Sequence, residues 1–242
     1  MFGVKMTSSW DPSVLPPVSE PVVTYMQRLA AMKKGDGITQ LKKWRVTCVR
    51  AYKVKSTSRH EYISATVVDS ENKSSFVAFD RHRGDPEPVP LSGANPDPNI
   101  DRSPLGLPSP SNSSLSSSSS VPDSTRHADD RIASISPPGT WNKTDQLIYE
   151  LNFEKPFFLY ELAILAVIVH EENTSYLLMS NNCYHYAGTI MKVLEEQYDT
   201  VNTADGAAAG KWCGLVLYPG GNTSSLLEKF REGIKNFVSF PC

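Results

Sequence analysis

The chain has 242 residues (26.7 kDa), 40% of them hydrophobic and 21% charged, and a formal net charge of -2 from 24 basic and 26 acidic side chains. That balance leaves no surplus of cations to displace counterions from a phosphate backbone, so a nucleic-acid partner is not expected. The opening residues lack the apolar core of a signal peptide. The longest apolar run, Phe157 to Val169, is broken by Glu161 and falls short of the roughly 20 residues that span a bilayer, so a cytoplasmic protein with no membrane span is expected.

In chain order, Ser19 is placed to cap a helix with Pro21 in its first turn. Val22, Val23, Met26, Leu29, Ala30 and Lys33 follow at helical spacing until Gly35 and Gly37 end it. Trp44 to Val54, His60 to Asp69 and Ser74 to Arg81 are rich in β-branched and aromatic residues and read as three strands, the last two joined by the turn residues Asp69 to Lys73. Residues 1–84 therefore form the first half of a domain.

From Asp85 to Thr140 the chain holds 11 of the 18 prolines and 14 serines, including the run Ser116 to Ser120. Such a stretch buries too little apolar surface to offset the entropy of ordering it. Residues 85–140 are predicted to be a disordered insertion, a candidate docking segment for protein partners. The flanking halves are each small for a stable core, so one interrupted domain is preferred over two.

The second half, residues 141–242, opens with a short strand from Tyr149 to Phe153. A helix from Pro156 to His170 follows, apolar nearly all round. Asn181 or Asn182 caps a further helix from Cys183 to about Gln197, which places Cys183 in its first turn. A strand over Trp212 to Tyr218 and an amphipathic helix over Thr223 to Phe237 close an α+β fold.

Cys48, Cys183, Cys213 and Cys242 are widely spaced with no C-x-x-C, so neither a zinc knuckle nor a disulfide framework is indicated. Gly220-Gly221 lacks the following G-K-S/T of a phosphate loop, and neither cofactor nor metal is expected. The exception among the cysteines is Cys183. A thiol at a helix N-terminus faces unpaired backbone N–H groups and the helix dipole, which favour its anion. A sulfur nucleophile also needs a base within reach and a polar group to orient that base. His60, opening its strand, is the first candidate for the base. In that strand Ile63, Ala65 and Val67 share an apolar face, as do Val77 and Phe79 in the next. Pairing those faces projects His60, Asp80 and His82 from the other side. Asp80 or His82 then orients the His60 ring, with Asp80 ranked first because a carboxylate also stabilises the imidazolium.

A strand opening with His60 in the segment HEY, a polar residue on the next strand, the helix LAILAVIVHE and the segment NNCYHYAGTI resemble the circularly permuted papain-like group. That group includes the NlpC-related and lecithin:retinol acyltransferase-like families, and the phrasing is similar to that of fungal proteins of this type. The resemblance covers two blocks of the chain. It implies a permuted papain-like α+β fold in which an antiparallel sheet packs against the nucleophile-bearing helix. It implies Cys183 as nucleophile, His60 as base and Asp80 or His82 as the orienting group, acting on an acyl substrate (amide, peptide or ester) through a thioester. The chain departs from the pattern in the roughly 20 residues between His60 and its candidate partners, and in the long insertion. The competing reading is a catalytically inactive papain-like interaction module with a regulatory linker.

Overall fold

The computed structural model describes residues 14–16, 19–34, 37–55, 60–84, 127–136, 145–174, 182–202, 211–212, 215–216 and 223–239. Glu20–Pro21 (β1) leads into helix α1 (Val22–Met32), and a short helix α2 (Gly37–Leu41) precedes β2 (Arg45–Lys53). Then come β3 (Glu61–Val68), β4 (Ser74–Arg83), β5 (Ala128–Ile135) and the long β6 (Gln146–Phe158). Helices α3 (Leu159–Glu172) and α4 (Cys183–Gln197) follow, then β7 (Thr200–Asn202), β8 (Lys211–Trp212), β9 (Leu215–Val216) and α5 (Ser224–Ser239). The fold is α+β: seven strands form one antiparallel sheet in the order β1-β5-β4-β3-β2-β6-β7, and β8 and β9 pair separately.

Period-two patterning gives the sheet one apolar face. Ile63, Ala65 and Val67 of β3 and Val77 and Phe79 of β4 are fully buried, joined by Val49 of β2, Ile132 of β5 and Leu151 of β6. Helices α1, α3 and α4 cover this face. Helix α3, apolar nearly all round, is the central layer, and Leu162, Leu165 and Ala166 are inaccessible to solvent. Its start is fixed by Glu161, whose carboxylate accepts the Phe158 N–H at 2.9 Å. Helix α5 lies on α3 at Gly233, where a Cβ would come 2.9 Å from Ile164 Cγ2. Between β3 and β4 the turn is closed by Asp69, whose Oδ1 accepts the N–H groups of Glu71 and Lys73, while Asn72 takes the left-handed conformation (φ 61°).

Several expectations change. Residues 127–136, assigned to the disordered insertion, carry β5, while residues 85–126 and 137–140 lie outside the described residues. The segment ADDRIASI hides its strand because one inward position is Asp130, acceptable in a core only when a cation meets it. Arg81 of β4 is that cation and is itself fully buried. Ser19 does not cap α1, whose N-cap is Pro21; the Ser19 hydroxyl and carbonyl instead accept from Arg131 at 2.8 Å each. The short strand expected at Tyr149–Phe153 extends over all of β6, because pairing with β2 carries it to Phe158. The single strand expected over Trp212–Tyr218 is a two-stranded pair, β8 with β9. Among the described residues no helix is long and apolar enough to cross a membrane.

Candidate active site

Helix α4 begins at Cys183 because Asn182, wholly buried and in extended conformation, accepts the His185 N–H at 3.1 Å through its side-chain oxygen. Two cation–aromatic contacts then hold the first turns against the sheet. Lys53 Nζ lies 4.9 Å from the Tyr184 ring centroid and is paired with Glu61 at 2.9 Å. Arg81 lies 4.9 Å from the Tyr186 ring centroid and makes two parallel bonds to Asp130, Nε to Oδ1 at 2.7 Å and Nη2 to Oδ2 at 2.6 Å. His170 Nδ1, on the last turn of α3, meets the same carboxylate at 2.8 Å. Desolvated cation–ring contacts are worth about 2 kcal/mol, and Arg81 sits on the strand that also carries Asp80 and His82. Cys183 is thereby fixed at 3% exposure beside the end of β3.

His60 immediately precedes β3, and its carbonyl accepts the Val54 N–H at 2.7 Å. Across the β3–β4 ladder Tyr62 is opposite Asp80, so His60 and His82 lie next along the same side. The His60 Nε2 bonds Asp80 Oδ1, and His82 Nε2 bonds Asp80 Oδ2 at 2.8 Å. The two imidazoles stack with centroids 5.1 Å apart and planes 19° from parallel. The Cys183 side chain also lies within hydrogen-bonding contact of His60. The structure thus brings together all four residues singled out from the sequence, with Asp80 as the hub and His82, half exposed, on the solvent side.

The electrostatics follow from this packing. Burial disfavours an imidazolium at His60, but hydrogen bonds to Asp80 and Cys183 and the negative charge they carry outweigh it, and the pKa is pushed up to about 10. Burial of Asp80 works against its anion in turn. Hydrogen bonds from His60 and His82, with their charge, prevail and hold the carboxyl down at about 2. An imidazole that favours its protonated form beside a carboxylate and a cysteine side chain is an arrangement that can store a proton and return it.

Other candidates fall away from this centre. Cys48 is buried in β2, and burial first, tempered by Arg50, raises its thiol to about 11. His185 is turned to a different side of α4, where burial and then the Arg81 charge lower its pKa. Sequence reasoning missed the buried Arg81–Asp130–His170 group, because its members are scattered over the chain and only strand register unites them. Cys213 and Cys242 lie outside the residues whose side chains are described. No family model, curated protein or solved structure matches the chain.

Proposed function

We propose that this protein is a cysteine-dependent hydrolase or acyltransferase of permuted papain-like type, with Cys183 as nucleophile, His60 as acid and base, and Asp80 as the group that orients His60. The observation that carries this reading is the convergence of a helix-terminal thiol, an imidazole and a carboxylate from α4, β3 and β4 in one hydrogen-bonded series. Since His60 Nε2 is engaged with Asp80, Nδ1 is the nitrogen left for Cys183.

The Cys183 sulfur, its proton taken up by His60, attacks the acyl carbonyl carbon. The resulting oxyanion lies near the Cys183 backbone N–H at the start of α4. His60 passes its proton to the departing nitrogen or oxygen as the bond to the acyl carbon breaks, leaving a thioester. His60 then accepts a proton from water or another acceptor, whose oxygen or nitrogen displaces the sulfur. Asp80 keeps the ring in one tautomer and supports its positive charge throughout.

A second reading, an inactive papain-like interaction module with residues 85–126 as its docking segment, draws on the burial of Cys183 at 3% exposure. The experiment that separates the two is exposure of wild-type and Cys183→Ala protein to activated esters and fluorogenic amides, with intact-mass detection of acyl adducts. Acylation confined to Cys183 supports the enzyme. A Cys183 that is neither acylated nor alkylated until the chain unfolds supports the interaction module.

A further inference from the structure

We infer that His60, Asp80 and His82 form a site for a divalent transition-metal ion of the Zn2+ class, in which the ion would take over the contacts these three residues now make with one another. Nε2 of His60 and Nε2 of His82 both point at the carboxylate of Asp80, and one donor atom from each residue lies within 4.8 Å of the others. Zinc bound by imidazole and carboxylate at about 2.1 Å sets its ligands about 3.4 Å apart in a tetrahedron. His82 Nε2 is already 2.8 Å from Asp80 Oδ2. The remaining adjustment is a closer approach of the two stacked rings, and the half-exposed His82 side chain has the freedom to make it.

Two imidazole nitrogens and one carboxylate suit Zn2+, Co2+ or Ni2+ far better than Mg2+ or Ca2+, which favour all-oxygen sets. Three protein ligands leave a fourth position for water. On binding, the ion takes the place of the N–H groups that His60 and His82 direct at Asp80. Cys183 is outside the group of donor atoms that lie within 4.8 Å of one another and is not among the proposed ligands. One consequence rests on the proposed thiol chemistry: with its Nε2 and Asp80 committed to the ion, His60 cannot become the imidazolium that protonates a leaving group. The ion is then a reversible inhibitor of the site.

The test is Co2+ titration of the full-length protein, followed by its visible d–d absorption and by isothermal calorimetry, in wild type, Cys183→Ser, His82→Ala and His82→Asn. A one-to-one Co2+ band that is displaced by Zn2+, persists in Cys183→Ser and weakens at least about tenfold in both His82 variants is expected, since each loses one of three ligands. Absence of band and heat in the wild type would overturn the proposal. So would a band unchanged in both His82 variants, or one that disappears in Cys183→Ser. Iodoacetamide labelling of Cys183 in the same samples keeps the two readings apart. Metal binding to a protein whose Cys183 is unreactive even without metal leaves the site standing and removes its inhibitory role. Zn2+ that binds and protects a reactive Cys183 supports both.

Discussion

Asp80→Ala is the substitution that reads the electrostatics of the site most directly. His60 stands at about 10 against an ordinary 6.5. At 1.36 kcal/mol for each tenfold step, this gap is about 5 kcal/mol in favour of the imidazolium. Asp80 and Cys183 each supply a hydrogen bond and a charge to that total, and burial opposes both. Assigning half to Asp80, about 2.5 kcal/mol, removal of the carboxylate lowers the proton affinity of His60 by a factor on the order of fifty, a fall of nearly two pH units in its titration midpoint. The assay is the titration of His60, followed by NMR of its ring protons from about pH 5 to about pH 11, with the folded state of the variant checked by circular dichroism. Asp80→Asn, which keeps an acceptor but not the charge, is expected to lie between wild type and Asp80→Ala. A folded Asp80→Ala protein whose His60 midpoint lies within about half a pH unit of wild type would refute the reasoning, because Asp80 would then not be holding the proton on His60.

Cys48, raised to about 11 by burial, is expected to remain unlabelled under conditions that modify Cys183, and its labelling in native protein at neutral pH would contradict the packing of β2. The imidazolium of His60 stabilises the fold fully below its ordinary 6.5, and this contribution disappears as pH rises through about 10. Asp80 contributes fully above its ordinary 3.8 and loses that contribution as pH falls through about 2. Urea midpoints are thus expected to decline on both sides of a plateau, and an Asp80→Ala protein with both declines intact would count against the assignment. Asp130→Asn leaves a buried guanidinium without its counter-charge and is expected to lower unfolding stability by about 3–5 kcal/mol in denaturant melts; a loss below about 1 kcal/mol would show that Arg81 is not desolvated there. Replacing residues 85–126 by a four-residue turn is expected to preserve the fold, since Gly84 N–H already meets the His127 carbonyl at 2.9 Å, and to raise stability by about 2 kcal/mol through the shorter loop. Collapse of the melting transition would show that the segment contributes to the core.

The parts of the molecule that were legible in the sequence are those in which local chemistry and burial agree. Asn182 before Cys183 is a capping residue before an amphipathic run, and α4 starts there. Ile63, Ala65 and Val67 against Val77 and Phe79 set which side of the hairpin is buried, and with it the common side of His60, Asp80 and His82. Strand β5 was not legible, because Asp130 in isolation is a polar residue within a Ser/Pro-rich region and becomes a core residue only beside Arg81. The possibility of a metal site was hidden for a related reason. His60 and His82 are 22 positions apart, a separation that belongs to no ligand motif, and only the ladder between β3 and β4 makes them neighbours.

The Arg81–Asp130 pair also bears on how β4 finds β5. In most antiparallel pairs a short turn dictates which residues face each other, but the segment between Gly84 and His127 is far too long to impose an alignment. Apolar alternation rejects a slip by one residue, since it would expose Phe79 and bury Asp80. It does not reject a slip by two. Arg81 and Asp130 are direct cross-strand partners, and a two-residue slip would set the buried guanidinium opposite Ala128 or Ile132, with no counter-charge. The ion pair therefore selects the one alignment that completes the sheet, a role that in a conventional hairpin falls to the turn, and substituting it by an apolar pair of equal volume would give up that selection even where it cost no stability.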